Sequence, residues 1–224
     1  MKVLVISAHP DDETLGCGAS LLKHNALGDD IHWLIVTSPH SPQWDDAIIK
    51  VKNNEVESVA VAYNVASLTR LNFPAALLET IPLSNIIEGI KECINRIKPD
   101  QIYTVHGGDV HTDHQIVYKS TMSVLKPSYM QDFNVTKILA FETLSSTEAN
   151  APHVDANFIP NIFNDVTNFI EEKLEIMALY KSELSKWPKP RSIEAVRALS
   201  QYRGITIGVP HAEAFMLCRE ISHR

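Results

Sequence analysis

Apolar residues in the N-terminal part of the chain follow two rhythms. Val3-Leu4-Val5-Ile6 and Ile31-His32-Trp33-Leu34-Ile35-Val36-Thr37 are short runs of β-favouring residues without helical spacing, the pattern of buried parallel strands. Between them, Leu15, Ala19, Leu22 and Ala26 recur at helical intervals over residues 14–27, and Gly28 follows as a C′ residue. The alternation continues downstream. Residues 45–63 predict a helix that packs through Ile48, Val51, Val59 and Ala62, and residues 67–71 a short strand. A helix over 84–98 carries Ile86, Ile90, Ile94 and Ile97 and stops at Pro99; a strand over 101–105 follows. The next helix shows Val117, Thr121 and Val124 on one side. A fifth strand at 137–141, a helix over 166–184, a turn at 188–192, a short helix to Tyr202 and a strand at 214–219 complete the pattern. This order specifies an α/β fold with a mostly parallel sheet and right-handed crossovers. No repeat or linker divides the chain, so residues 1–224 are expected to form one domain.

Two strand ends carry the chemistry. The first strand runs into Ser7-Ala8-His9-Pro10-Asp11-Asp12-Glu13, one imidazole and three carboxylates ahead of a helix. Adjacent acids repel one another, and a divalent cation would favour them. His9 and Asp12 both suit zinc. The alternative, acids attracted to the positive end of the helix, accounts for one or two of them but not for His9-Pro10. The fourth strand ends in His106, Asp109, His111, Asp113 and His114. His111 and His114, three apart at a helix entry, can face one pocket. Both segments leave the same edge of a parallel sheet, where ligands bind in such folds. One further ligand from the second segment would give two imidazoles and a carboxylate with an open position, the arrangement of a catalytic zinc.

Composition narrows the partners. A formal charge of −7 argues against nucleic acid or an anionic membrane surface, which need a basic face. No apolar run reaches membrane-spanning length, so no integral membrane segment is expected. The three cysteines, Cys17, Cys93 and Cys218, are odd in number and form no C-x-x-C, which points to reduced thiols in a cytoplasmic protein.

The residues Ala8–Glu13 (A-H-P-D-D-E) and His111–His114 (H-x-D-H), about a hundred residues apart, resemble the LmbE-like or PIG-L family of zinc-dependent N-deacetylases. Ser145-Ser146-Thr147-Glu148, Tyr180-x-Ser182-Glu183-Leu184, Pro190-Arg191-Ser192, Arg203-Gly204 and Ala212-Glu213-Ala214-Phe215 resemble a branch found with bacterial polysaccharide and nucleotide-sugar enzymes. The resemblance implies a Rossmann-like three-layer sandwich with the metal at the carboxyl edge of the sheet. It further implies His9, Asp12 and His114 as zinc ligands, Asp11 as general base, His111 as the stabiliser of the oxyanion and Asp113 as the group that orients His111 and raises its pKa. Iron(II) or another divalent ion would accept the same donors. The implied substrate is a GlcNAc-type sugar, nucleotide-linked in some cases, and a homo-oligomer is compatible with it. Thr112 replaces the usual proline of H-P-D-H, and Lys52 stands where many members carry arginine. Lys52, Arg191 and Arg203 are the candidate substrate contacts, each against an alternative as solvated surface charge. Trp44 is the candidate sugar-stacking ring, Glu13 a support for the turn, and Asp109 a loop residue or, as the alternative, a partner that supports a ligand. A metal-dependent phosphoesterase and a non-catalytic nucleotide-binding module are the rival functions. The second lacks G-x-G-x-x-G, since Gly16-Cys17-Gly18 falls inside the predicted helix.

Overall fold

A computed structural model describes residues 1–151 and 157–222. In chain order the N-terminal part holds β1 (Lys2–Ser7), α1 (Asp12–Ala26), β2 (Asp30–Ser38), α2 (Asp46–Ala62), β3 (Ser67–Pro74), α3 (Leu83–Ile97), β4 (Gln101–Val105) and α4 (Thr112–Val124). The remainder holds α5 (Pro127–Met130), β5 (Lys137–Phe141), β6 (Ile162–Asp165), α6 (Ile170–Met177), α7 (Ile193–Ile205) and β7 (Ala212–Glu220). The strands form one seven-stranded sheet in the order β3-β2-β1-β4-β5-β7-β6. The first five positions are parallel, and β7 runs antiparallel to β5 and β6. Helices flank it: α1 packs on α6 and α6 on α7, while α3 packs on α4. Among the described residues no helix is long and apolar enough to cross a membrane.

Val3, Leu4, Val5 and Ile6 are fully buried, as expected of a central strand. β1 lies between β2 and β4, so the chain moves outward from β1 through β2 to β3 and returns on the other side as β4. Ile6 pairs with Thr104, which brings the two His/Asp segments out side by side. This switch point is where the open sheet leaves a crevice.

The short α1–sheet distance depends on a small residue. A Cβ on Gly16 would lie 2.0 Å from the Phe141 ring of β5. Gly16 and Gly18 therefore serve helix packing, not phosphate binding. In mid-α1 the Ala19 and Ser20 amides donate to Glu213 of β7 at 2.9 and 2.7 Å. Lys173 of α6 donates to Glu213 at 2.7 Å and to the Leu15 carbonyl at 3.0 Å. A buried ion pair thus ties α1 to two other elements.

Two expectations need correction, and β6 lies outside the predicted pattern because its four residues are too few for a period-2 signal. The helix expected over 166–184 is confined to α6, because Tyr180 and Ser182 turn away to bond Glu13 and Glu55. On α2, Val56 and Val59 enter the core, with Tyr63 just past the helix end, whereas Ile48 and Val51 are 42% and 49% exposed and Ala62 is exposed too. Helical spacing shows that residues share a stripe but not what covers it.

Candidate active site

The turn after β1 is conformationally restricted. Asp11 has φ 97°, a left-handed conformation uncommon for a residue with a Cβ. Its carboxylate makes no capping bond to α1, so the capping alternative does not describe it. Glu13 pins this turn, accepting from the Asp11 amide at 3.2 Å, from Thr14 Oγ1 at 2.6 Å and from the Tyr180 hydroxyl at 2.8 Å. Burial pushes the Glu13 carboxyl up to about 7.

Beside this turn, His9, Asp12 and His114 each offer a donor atom, all within 4.8 Å of one another. His9 Nδ1 and His114 Nε2 are 3.3 Å apart, and His114 Nε2 is 3.3 Å from Asp12 Oδ1. The outward nitrogens face carboxylates. His9 Nε2 lies 2.8 Å from Asp113 Oδ2, and His114 Nδ1 lies 3.0 Å from Asp109 Oδ2, the latter without hydrogen-bond alignment. Asp113 accepts from the Ala76 and Leu78 amides, and Asp109 from Ser146, Thr147 and the His111 amide. An imidazole backed by an anchored carboxylate is the usual setting of a metal-binding histidine. The electrostatics also favour a cation. Burial raises Asp12, but His114 and His9 outweigh it and hold this carboxyl well below its ordinary value. Burial lowers His114, but Asp12 and Asp109 outweigh it and push the imidazole up to about 10. The donor set therefore fits a divalent ion. His9, His111 and Asp113 form a second grouping, but Asp113 is engaged by His9 and two amides, so it fits less well.

Asp11 lines the same cavity, and burial followed by the adjacent Asp12 raises its carboxyl well above the ordinary range. Arg191 Nη1 opposes this from 3.1 Å. The expectation that Asp113 orients His111 is corrected, whereas its charge does raise the His111 pKa and is outweighed. The Asp113 carboxylate serves His9, and only its backbone amide donates to His111 Nδ1, at 3.2 Å. Burial, then His9 and His114, lower His111. An Nδ1 that accepts places the proton of the neutral ring on Nε2, so His111 remains a donor without a net charge. Asp109, weighed as loop structure or as a supporting partner with the first preferred, lies against His114 with its carboxylate anchored by Ser146 and Thr147. Nothing in its spacing marked it, because its partners Ser146 and Thr147 come from a distant loop.

The cavity above this cluster has a volume of about 1010 Å³. Lys52 and Arg191 line it, and both are paired. Lys52 bonds Glu183, and Arg191 donates to Glu183 at 2.9 Å and Ser145 at 2.9 Å as well as to Asp11. Arg203 is not among the lining residues; Glu142 binds its guanidinium through two bonds of 2.7 Å. Trp44 lines the cavity, with His40 edge-on to it. His211 bonds Ser200, His106 packs on Phe158, and His153 lies outside the described residues.

Comparison with known proteins follows the same outline. The family model described as "PIG-L: GlcNAc-PI de-N-acetylase" matches residues 4–125, a span that contains both His/Asp segments. A protein of Escherichia coli (strain K12) described as uncharacterized deacetylase YaiS is 30% identical over 186 residues, covering 80% of this chain and 90% of that one. The N,N'-diacetylchitobiose deacetylase of Pyrococcus horikoshii, complexed with its inhibitor MPG, superposes with a TM-score of 0.73 at 20% identity, covering 97% of this chain and 84% of that one. The zinc inhibited form of teicoplanin deacetylase Orf2 gives 0.75 at 14% identity, covering 100% of both chains. With more than half of its length matched and the seven-stranded fold in common, the chain belongs to the PIG-L family of de-N-acetylases.

Proposed function

We propose that this chain is a divalent-metal-dependent hydrolase that removes the acetyl group from a GlcNAc-type amino sugar and releases acetate. One observation carries the reading: the donor atoms of His9, Asp12 and His114 lie together at the cavity, with the Asp11 carboxylate beside them. Those three residues would hold the ion, zinc by donor chemistry, with iron(II) or cobalt acceptable to the same set. When bound, such an ion polarises a carbonyl and makes water more acidic at neutral pH.

The chain's own groups supply the rest. Asp11 takes a proton from the attacking water as the carbon–oxygen bond forms, then passes it to the departing nitrogen as the carbon–nitrogen bond breaks. Its raised basicity suits both transfers. Arg191 fixes Asp11 Oδ2 and keeps the carboxylate from swinging away. His111 Nε2–H donates to the oxyanion that develops on the acetyl oxygen, a contribution of about 3–4 kcal/mol for a good donor. Asp113 and Asp109 set the ring orientations of His9 and His114. The three free cysteines support a cytoplasmic location.

The test is acetate release from N-acetylglucosamine and its glycosides, measured after chelation and after re-addition of zinc, iron(II) or cobalt in graded amounts. Grading matters because a structural relative is described in a zinc inhibited form. The proposal expects activity that vanishes with chelator and returns with a stoichiometric ion. Release of phosphate from phosphate esters, with no acetate from any amide, would replace it with the phosphoesterase reading.

A further inference from the structure

On α2, Ile48, Val51, Lys52 and Glu55 recur at helical spacing and line the cavity. Ile48 and Val51 have no core to enter, and Val110, in the loop between β4 and α4, is likewise 51% exposed on the same cavity. Trp44 joins them there. Single exposed apolar residues carry no message. Residues from separate segments that line one cavity give it an apolar wall, and the cavity is the one that holds the candidate centre.

The cations beside that wall are already paired, and the carboxylates outnumber them. Asp11, Asp12, Glu55 and Glu183 line the cavity against Lys52 and Arg191. Glu183 pairs with both cations, and Asp11 pairs with Arg191. Among the described residues, no lysine or arginine of the lining lacks a carboxylate partner. A phosphate would have to break one of these pairs and face the acid it released.

We propose that the amino sugar enters this site joined to an uncharged apolar group, alkyl or aryl, which packs on Trp44, Ile48, Val51 and Val110. Sugars linked through phosphate or a nucleotide are then poor ligands. The proposal rests on the deacetylase reading for the acetamido end and not for the apolar end.

Calorimetry on the full chain as purified tests it with deacetylated sugars, which cannot turn over: hexyl β-D-glucosaminide, glucosamine and UDP-glucosamine. Each fully buried methylene strengthens binding about fourfold, so a partly covered hexyl chain gives about tenfold or more over the free sugar. UDP-glucosamine binds no tighter than glucosamine. In the Ile48→Ser/Val51→Ser double variant the hexyl advantage shrinks to about threefold or less, and Val110→Thr, on a separate segment, moves it the same way. Tighter binding of UDP-glucosamine than of the hexyl glycoside overturns the proposal. So does undetectable hexyl binding, or a hexyl advantage that survives in both variants. Acetate release from the corresponding N-acetyl compounds is scored separately: hexyl-selective binding without any acetate release sinks the deacetylase reading and leaves the apolar wall standing.

Discussion

The ion pair between Lys173 and Glu213 is a test of how the site is supported from behind. Both side chains are buried, at 3% and 4% exposure, and each also bonds the α1 backbone. Lys173→Met leaves the Glu213 carboxylate with two amide donors but no countercharge, and it strips the Leu15 carbonyl of a donor. Removing one partner of a buried pair costs about 3–5 kcal/mol, because the remaining charge stays desolvated. Glu213→Gln leaves the ammonium in the same position and turns an amide N–H₂ toward backbone donors, a loss of similar size. In urea, with a slope of about 2–3 kcal/mol/M for a chain of this length, each single variant lowers the midpoint by about 1.5 M. The double variant costs less than the sum by about 2 kcal/mol or more, the coupling that a direct contact requires. α1 begins with Asp12, so loosening its middle should also weaken metal retention in both single variants. Single variants that each cost under about 1 kcal/mol, or a double variant that is simply additive, would refute the argument.

Asp11→Asn is expected to keep its metal and lose about 10²–10⁴-fold in turnover, measured by acetate release alongside elemental analysis. Near-normal turnover would place the base elsewhere. His111→Ala should lower kcat about 10²–10³-fold with the metal content unchanged; loss of metal there would mean that His111 and His114 have been exchanged. Glu13 titrates near 7 when folded and near 4.5 when unfolded, so the unfolded chain gives up this proton first. Its contribution is fully present below pH 4.5 and is lost as pH rises to 7, by about 3 kcal/mol. In metal-free protein, the stability of wild type should therefore fall more steeply over that window than that of Glu13→Gln, and parallel curves would count against the burial argument.

The sheet and the candidate His/Asp cluster were legible because each rests on local signals. Val3 to Ile6 and residues 101–105 are unmistakable strands, and in a parallel sheet whatever follows them must emerge at one edge. That logic brought His9 and Asp12 to the same edge as the His106–His114 segment, and the family resemblance singled out His114 as the third donor. What escaped depends on long-range pairing. Asp113 stands two residues from His111, yet its carboxylate reaches His9, more than a hundred positions away. Asp109 looked like loop chemistry until Ser146 and Thr147 closed on it. Arg203 is a cation near the right motifs, but Glu142 claims it. Ile48 and Val51 had the spacing of core residues and face a cavity, since hydrophobic periodicity does not distinguish a protein partner from a ligand.

Metal stoichiometry by inductively coupled plasma mass spectrometry, on wild type and His114→Ala after equilibration with a divalent ion and desalting, bears most directly on the central claim. The account predicts one tightly held ion per wild-type chain and its loss in His114→Ala. A wild-type chain that retains no ion, or a variant that retains it undiminished, would contradict it.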